Sequence, residues 1–452
     1  MQTRSFPVRR PLRPERILAL GFLAVILIGG LILSLPVCAA GGRSIGLLGG
    51  LFTATSAVCV TGLSIIDAGT QLSFFGQTVL LVLIQVGGQG FMSFATLIMV
   101  ALGKRVSLRS RLILRESMNQ SNLRGMVGLC LSFFLIAVVI ETAGALLLMI
   151  RLIPLYGAGR GIWYSFFTSI SAFCNAGFDL FGSTSLTHLQ QEPIVLLTLS
   201  ILIILGGIGF SVILECLHHR FRFRALSLHA KLVLILTLSL LAAGTALTLL
   251  LEYSHTLKQL TPGEKLLNSF FQSVTLRTAG FASIDQGSLT DASKLLGCLF
   301  MFIGASSAST GGGIKTTTAF MMLMLVWSVI RGRVRISIFG RELSQDTARR
   351  AMAIAFIGMT VVLGSGCVIS VLEQDRGFAM IDLLFETMSA FSTTGLSSAS
   401  TPSLTRASQW LLMPLMYLGR VGPLTLAFAL ASRGEQHPAV RVRYPEEKIM
   451  IG

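Results

Sequence analysis

Eight long apolar runs constrain this chain more than any other feature of its sequence. They lie at about 17–37, 74–103, 125–152, 192–217, 231–253, 293–329, 351–373 and 409–432. Each is near or above the roughly 20 residues that a helix needs to cross a bilayer. Charged residues make up 12% of the chain, about half the share in a typical soluble domain. The sequence therefore predicts an all-α integral membrane protein with eight transmembrane helices.

The positions of the basic residues predict the orientation of these helices. The segments 1–16, 104–124, 218–231, 331–350 and 433–452 hold 5, 6, 4, 6 and 4 of the 36 Lys and Arg residues. They fall on one side if the spans alternate, and Lys and Arg concentrate in cytoplasmic loops. Both termini are therefore predicted to be cytoplasmic, and the formal charge of +16 reflects topology and attraction to membrane lipids. The first run is too long for a cleaved signal peptide, so an anchoring helix is favoured, and no nucleic-acid partner is expected.

A fourfold repeat lies between the spans. Apolar stretches too short to span occur at 44–57, 161–173, 263–275 and 380–391, as expected for re-entrant helices. Each is followed by a related loop: SAVCVTGLS (56–64), SAFCNAGFD (171–179), VTLRTAGFA (274–282) and SAFSTTGLS (389–397). The loops align on Gly62, Gly177, Gly280 and Gly395, which predicts four span, re-entrant helix, loop and span units with four-fold pseudosymmetry around one pore.

The predicted boundaries follow from this repeat. They are a basic N-terminus 1–16, repeat one 17–103, a cytoplasmic loop 104–124, repeat two 125–217, a loop 218–230, repeat three 231–330, a loop 331–350, repeat four 351–432 and a cytoplasmic tail 433–452. The second spans share a G-x-x-G core in VGGQGF (86–91), LGGIGF (205–210) and LGRVGP (418–423). These glycines could simply allow close helix packing, as in small-xxx-small interfaces.

The loop glycines indicate ion chemistry. Extended backbone is tolerated at membrane depth where it lines a watery cavity, and rings of its carbonyls can replace the hydration shell of a cation. Glycine suits backbone that has a positive φ or approaches an ion closely. The C-terminal ends of the re-entrant helices would also favour a cation.

The sixth apolar run is irregular. Its 37 residues would make a helix of roughly 55 Å, well beyond a hydrocarbon core of roughly 30 Å, so it must tilt, protrude or break. Its middle, GASSASTGGGIKTTT (304–318), has a helix-breaking, polar composition, which predicts an intramembrane loop. Arg420 is expected to hold this loop, and Lys315 either anchors it or marks the inner interface.

Ionisable residues are energetically costly inside a membrane, so others that lie near the spans are candidate functional residues. Arg277 could place positive charge beside the ion path, but a salt bridge or carbonyl contact that braces its loop is favoured. Glu386 could attract cations, but a bracing pair with an arginine is favoured. An interfacial position and a cation vestibule explain Glu141, Glu252 and Glu373 equally well. The seven cysteines show no paired spacing, and Cys59 and Cys174 are interpreted as packing residues. With the six histidines in loops, no catalytic residues, cofactor or metal cluster is predicted, which argues against an enzyme.

These motifs resemble the superfamily of potassium transporters that comprises bacterial KtrB and TrkH proteins and their fungal and plant relatives. The resemblance extends from the first span to the tail, through the four loops, STGGGIKT and LGRVGPLT. It is greatest to KtrB, because the chain begins directly with the first repeat. It implies channel-like potassium uptake across the bacterial inner membrane. A Trk-type symporter subunit is the first alternative, and an alternating-access carrier, which usually has two repeats, is the second.

The resemblance also assigns residues. It implies that backbone at Val60, Thr61, Gly62, Asn175, Ala176, Gly177, Thr278, Ala279, Gly280, Thr393, Thr394 and Gly395 forms the potassium-binding selectivity filter. A serine at the first filter glycine goes with sodium permeation in this family, so four glycines favour potassium. It implies a gate in 304–315 that Arg420 contacts, with Gly304, Ala305, Ser306, Ser307, Gly311, Gly312, Gly313 and Lys315. The implied assembly is a homodimer on a cytoplasmic ring of KtrA-like subunits that bind ATP and ADP, with sodium-dependent uptake.

Overall fold

The computed structural model describes residues 14–103, 106, 108–117, 126–182, 184–220, 222–332, 336–338, 341–423 and 425–426. Residues 1–13, the segment 118–125 and the predicted tail 433–452 lie outside this set. The α-helices in the described part of the chain are α1 Pro14–Leu33, α2 Gly46–Cys59, α3 Ala68–Gln71, α4 Phe74–Gln89, α5 Phe91–Ala101, α6 Leu108–Ser117, α7 Met126–Tyr156, α8 Ala158–Phe173, α9 Pro193–Ile208, α10 Phe210–His218, α11 Leu228–Glu252, α12 Pro262–Thr275, α13 Asp291–Phe302, α14 Thr316–Ile330, α15 Gln345–Leu372, α16 Met380–Ser392 and α17 Arg406–Val421.

The all-α prediction needs one small correction. Strands β1 (Ile336–Ile338) and β2 (Arg341–Leu343) form an antiparallel hairpin between α14 and α15. The hairpin lies in the basic segment 331–350, outside the apolar runs. A backbone in water can pair in strands there without the constraint that a bilayer imposes.

Polar caps set where several helices begin. A Ser or Thr hydroxyl accepts a hydrogen bond from the third backbone N–H of the helix at Ser73, Ser227, Thr261, Thr290, Ser344 and Thr405. These hydroxyls satisfy N–H groups that a helix leaves unpaired at its start. Helices α11, α13 and α15 therefore begin a few residues before the predicted apolar runs, since capping residues are polar.

The eight predicted spans do not all appear as single long helices. By length and composition, four helices in the described residues could cross a membrane: α1 from Arg16, α7, α11 and α15. The run 74–103 is split into α4 and α5 with a bend of 101°, and the run 192–217 into α9 and α10 with a bend of 96°. Counting each bent pair as one span gives up to six.

The bends occur at the last glycine of the G-x-x-G motifs. Gly90 and Gly209 have φ values of 81° and 101°, and Gly422, directly after α17, has a φ of 91°. Residues with a side chain avoid this conformation, whereas glycine adopts it readily. In the sixth run, α13 ends at Phe302 and α14 begins at Thr316, with non-helical backbone between them.

The four short helices α2, α8, α12 and α16 form the centre of the fold. Each packs against the long helix that precedes it: α1, α7, α11 and α15. Each also packs against the helix that follows the short helix of another repeat, in the pairs α4 with α8, α9 with α12, α13 with α16 and α17 with α2. These contacts close a circle, because the last helix packs against the first short helix. Buried phenylalanines, among them Phe52, Phe167, Phe271 and Phe385, fill the space around the short helices.

Candidate functional site: a ring of glycine loops over a central loop

Each short helix ends in a left-handed turn with the same geometry. We call Val60–Gly62, Asn175–Gly177, Thr278–Gly280 and Thr393–Gly395 the glycine loops. Their first residues have φ values of 58°, 56°, 65° and 53°, and their glycines 94°, 69°, 84° and 91°. Positive φ in a residue with a side chain costs energy and needs support from the surroundings. Four repetitions of this turn show that the backbone conformation itself is the feature that the repeats share.

Hydroxyl groups on the short helices hold these turns. Ser56 Oγ accepts from Gly62 N and Ser389 Oγ accepts from Gly395 N, both at 3.0 Å. Ser171 Oγ accepts from Phe178 N at 3.0 Å. In the third repeat, where Val274 occupies the serine position, Thr275 Oγ1 instead donates to Phe281 O at 2.7 Å. The divergent repeat therefore keeps a hydroxyl in the same turn by using the next residue.

The four glycines meet in a closed ring. A Cβ atom built on Gly62 would lie 2.7 Å from Ala176 O, one on Gly177 would lie 2.8 Å from Ala279 O, and one on Gly280 would lie 2.5 Å from Thr394 O. A Cβ on Gly395 would collide with Thr61 O. Each glycine thus faces the carbonyl that precedes the glycine of the next loop. Any side chain would strike backbone, so these four positions require glycine for space as well as for conformation.

All twelve residues predicted for the filter lie in this ring. The four glycines line a cavity of about 1180 Å³, whose walls also carry Asp67, Asp179 and Asp285. After the predicted orientation of the chain we call it the outer cavity, and the cavity on the other side of the ring the inner cavity. A second cavity of about 440 Å³ is lined by Gly311, Gly313, Lys315 and Arg420. The segment 304–315, here called the central loop, therefore lies between the glycine ring and the inner cavity.

Backbone hydrogen bonds fix the central loop across three repeats. Ser306 N donates to Gly207 O at 3.0 Å and Thr310 N donates to Gly206 O at 3.2 Å. Gly313 N donates to Gly419 O at 3.3 Å. The acceptors belong to the G-x-x-G segments of the second and fourth repeats. The bends in those segments thus supply the carbonyls to which the central loop is tied.

Arg420 and Lys315 bind carbonyls at the central loop. Arg420 Nη1 donates to Thr310 O, and its Nη2 donates to Gly87 O and, at 3.2 Å, to Gly88 O. Lys315 Nζ donates to Gly311 O at 2.7 Å, within the loop itself. Arg420 on the fourth repeat therefore joins the third repeat to the first. Charge-assisted hydrogen bonds of this kind are stronger than neutral ones, so the arginine is a strong tether.

The predicted bracing residues have other partners than expected. Glu386 accepts hydrogen bonds from Ser397 Oγ, from Ala399 N at 3.2 Å and from Thr401 Oγ1 at 3.1 Å. The expected arginine partner is not found among the described residues. The loop after the fourth glycine is braced by neutral donors instead. Arg277 is buried, and its Nε and Nη2 have no hydrogen-bond partner among the described residues, so the predicted bracing contact is not seen for these two atoms.

Sequence reasoning missed the role of two repeated glutamates. Glu252 Oε1 accepts from Thr290 N at 3.0 Å and from Thr290 Oγ1 at 2.7 Å. Glu373 Oε1 accepts from Thr405 N at 2.8 Å and from Thr405 Oγ1 at 2.6 Å. In both repeats, the glutamate at the end of the long helix binds the residue that caps the helix after the short helix, α13 or α17. The equivalent positions of the two glutamates in their repeats could have indicated this shared role.

Glu141 differs from those two glutamates. It is buried within α7, where Gln85 Nε2 donates to its Oε2 at 2.7 Å. Cys174, interpreted from the sequence as a packing residue, donates to Gln85 Oε1 at 3.0 Å. The Cβ of a residue at Gly88 would lie 2.7 Å from Cys174 Sγ. These residues form a polar contact behind the second glycine loop.

The apolar helices around this closed ring of backbone loops define a multi-pass membrane protein. Comparison with known proteins identifies its family. The TrkH family of cation transport proteins matches residues 24–438, and the chain belongs to this family. The resemblance inferred from the motifs is thereby confirmed.

Individual relatives cover almost the whole chain. Ktr system potassium uptake protein B of Bacillus subtilis (strain 168) is 41% identical over 97% of this chain and 97% of its own length. Potassium/sodium uptake protein NtpJ of Enterococcus hirae is 39% identical over 98% of each chain. The crystal structure of the potassium transporter TrkH from Vibrio parahaemolyticus shares the fold, with a TM-score of 0.73 over 95% of this chain and 87% of that chain, at 16% identity.

Proposed function

We propose that this protein mediates channel-like potassium uptake through the ring of glycine loops. The carrying observation is the closure of that ring, in which each glycine faces a carbonyl of the next loop. The names of the two relatives, a potassium uptake protein and a potassium/sodium uptake protein, support the substrate. Neutral carbonyls suit a monovalent cation whose hydration shell must be removed and restored rapidly.

The electrostatics of the ring favour a cation without any charged side chain. The four short helices end at the glycine loops, so their partly negative C-terminal ends converge there. The acids of the outer cavity add negative potential on the approach to the ring. With glycine in all four loops, we propose that potassium is preferred over sodium.

The central loop is the proposed gate. It lies between the ring and the inner cavity, and Arg420 tethers it to carbonyls of two other repeats. Displacement of the loop would open a path from the outer to the inner cavity. A tether made of a few hydrogen bonds suits a gate, because such bonds can be broken and formed again when the loop moves.

The proposed architecture is eight spans in four pseudosymmetric repeats around one pore, in the bacterial inner membrane, with cytoplasmic termini. The circular packing of the short helices supports the repeats, in which two of the second spans are bent and a third is interrupted by the central loop. The proposed assembly is a homodimer on a KtrA-like ring that binds ATP and ADP, and uptake is proposed to depend on sodium. The Ktr system names of the relatives support such a partner.

Substitution of one ring glycine tests the proposal. Gly177→Ser places a Cβ 2.8 Å from Ala279 O, so the ring must distort. We expect weaker potassium affinity and more sodium entry, measured as uptake by a bacterial strain without its own potassium uptake systems, with a matching cytoplasmic partner. Gly364→Ser is the matched control, because no atom lies within 4 Å of its Cβ position. Equal ion preference in the two variants at equal membrane levels would place the ion pathway elsewhere.

A further inference from the structure

The first residue of each glycine loop carries a side chain that is packed inside the protein. These residues are Val60, Asn175, Thr278 and Thr393, and all four are fully buried. The hydroxyls of Thr278 and Thr393 have no hydrogen-bond partner among the described residues. Buried hydroxyls are normally paired, and leaving one unpaired costs free energy. The lack of a partner for these two buried hydroxyls therefore needs an explanation.

The central loop lies directly against both hydroxyls. A Cβ on Gly311 would collide with Thr278 Oγ1, and a Cβ on Gly312 would collide with Thr393 Oγ1. The two glycines thus bring their backbone into the space next to the hydroxyls, where their CH₂ groups offer no conventional hydrogen-bonding group. The loop fills the site and leaves its polar atoms unsatisfied.

Asn175 completes the polar side of this layer. In the orientation that satisfies the amide, its nitrogen donates to Ala172 O at 3.1 Å and to Ile203 O at 3.2 Å. Its oxygen is then turned toward Gly207, the residue whose carbonyl accepts from Ser306 N of the central loop at 3.0 Å. Three of the four first residues thus carry a neutral side-chain oxygen, and the fourth, Val60, is apolar.

We propose that the hydroxyls of Thr278 and Thr393 and the amide oxygen of Asn175 form an inner coordination layer for a monovalent cation, and that the central loop closes the pathway by occupying this layer. The loop and the cation therefore compete for the same space. The inference rests on the proposed function, since it adds side-chain ligands to the glycine ring. The proposed function involves backbone carbonyls only, whereas here side chains are also ligands and the cation displaces the loop.

The loop and the cation differ in whether they leave the two threonine hydroxyls without a partner. With the loop in place, both hydroxyls lack a partner; with the loop displaced, a partly hydrated potassium ion or its water can bind them. Raising the potassium concentration thus stabilises the displaced loop through differential binding. Replacing the hydroxyls by methyl groups removes the ligands and also removes the cost of closure, so both effects act against uptake.

The test uses isosteric changes in the full-length protein with its cytoplasmic partner. The variants are Thr278→Val, Thr393→Val and the double variant, and the matched controls are Thr53→Val and Thr168→Val. The control hydroxyls are also buried and unpaired, but lie on α2 and α8 away from the central loop. We expect the double variant to raise the potassium concentration for half-maximal uptake by roughly three- to tenfold, the range for losing one or two neutral ligands. Serine at both positions keeps the hydroxyls and should restore uptake.

A second measurement reports on the loop itself. Hydrogen exchange of backbone amides in 304–315 of the purified protein, followed against potassium concentration with choline as the balancing cation, should rise with potassium in the parent and not in the double Val variant. A purely structural role of the threonines would leave this potassium dependence in place. The single variants provide the same comparison if the double variant folds poorly.

The outcomes separate this inference from the proposed function. If the double variant matches Thr53→Val in both uptake and exchange while Gly177→Ser still changes ion preference, the inner layer is wrong and the glycine ring stands. If Gly177→Ser also has no effect, the proposed function fails with it.

Discussion

At the residue scale, the side chain of Arg420 connects three of the four repeats. One guanidinium group binds a carbonyl of the central loop and two carbonyls of α4. The planar group has five donors in a fixed arrangement, so it can serve three acceptors at once. Lysine at this position would retain the charge without this geometry.

Arg420→Ala is expected to loosen the central loop and leave the glycine ring intact. Maximal potassium uptake should rise several-fold, because the closed position loses charge-assisted hydrogen bonds worth about 1.5–3 kcal/mol each. The ratio of potassium to sodium uptake should stay that of the parent. Arg406→Ala, an exposed change at the start of the same helix, is the control. A changed ion ratio with unchanged maximal rate would move Arg420 from the gate to the selectivity mechanism.

At the element scale, two buried glutamates join long helices to their successors. Glu373 follows α15 directly and accepts from Thr405, the cap of α17, and from Ser408 at 2.5 Å. Glu252 ends α11 and accepts from Thr290, the cap of α13. Each carboxylate thus fixes where the second helix of its repeat begins relative to the first.

Glu373→Ala should destabilise the purified protein by about 2–3 kcal/mol, because it leaves several buried donors without an acceptor. The measurement is the thermal unfolding midpoint in detergent, with Asp375→Ala, an exposed acid two residues further on, as control. We expect a lower midpoint for Glu373→Ala alone. Equal midpoints for the two variants would show that the hydrogen bonds to Thr405 and Ser408 contribute little.

At the scale of the whole molecule, charge is distributed unevenly along the pathway. The outer cavity carries Asp67, Asp179 and Asp285. Asp179 lies in the outer loop after the second glycine, accepts from Ser185 Oγ at 2.5 Å and from Phe181 N at 3.0 Å, and is near Asp67. Burial and, to a smaller extent, the nearby charge of Asp67 raise the pKa of Asp179 to about 6, against the lowering effect of these hydrogen bonds. The outer cavity therefore gains a negative charge as the external pH rises through 6.

Uptake at limiting potassium should follow this titration. Between pH 7 and pH 5, Asp179 binds a proton and the attraction of the outer cavity for cations falls, so the initial uptake rate should decrease by roughly two- to fivefold at low ionic strength. Asp179→Asn keeps an acceptor for Phe181 N and should flatten the profile over this range. The decrease should also shrink at high salt. The same pH profile in the variant and the parent would assign the dependence to another group.

Much of the fold of this protein, and its family, could be predicted from the amino-acid sequence. Apolar runs, repeated short helices, four aligned glycines and a polar interruption in the sixth run sufficed to predict a membrane protein with repeats and its family. They also assigned the residues of the glycine ring and the central loop. These features are local, because helix length, apolar composition and the need for glycine are properties of single segments.

The tertiary structure decided what depends on distant partners. The runs are apolar on both sides of the bends at Gly90 and Gly209, so an average of hydropathy along the sequence does not reveal these bends. The partner of Glu373 lies 32 residues away, and the use of Thr275 in place of Val274 follows from the direction in which each side chain points. The sequence alone determined which segments can enter the membrane. Which carbonyls meet at Gly395 and Arg420 was decided by packing, because those contacts join repeats that are hundreds of residues apart.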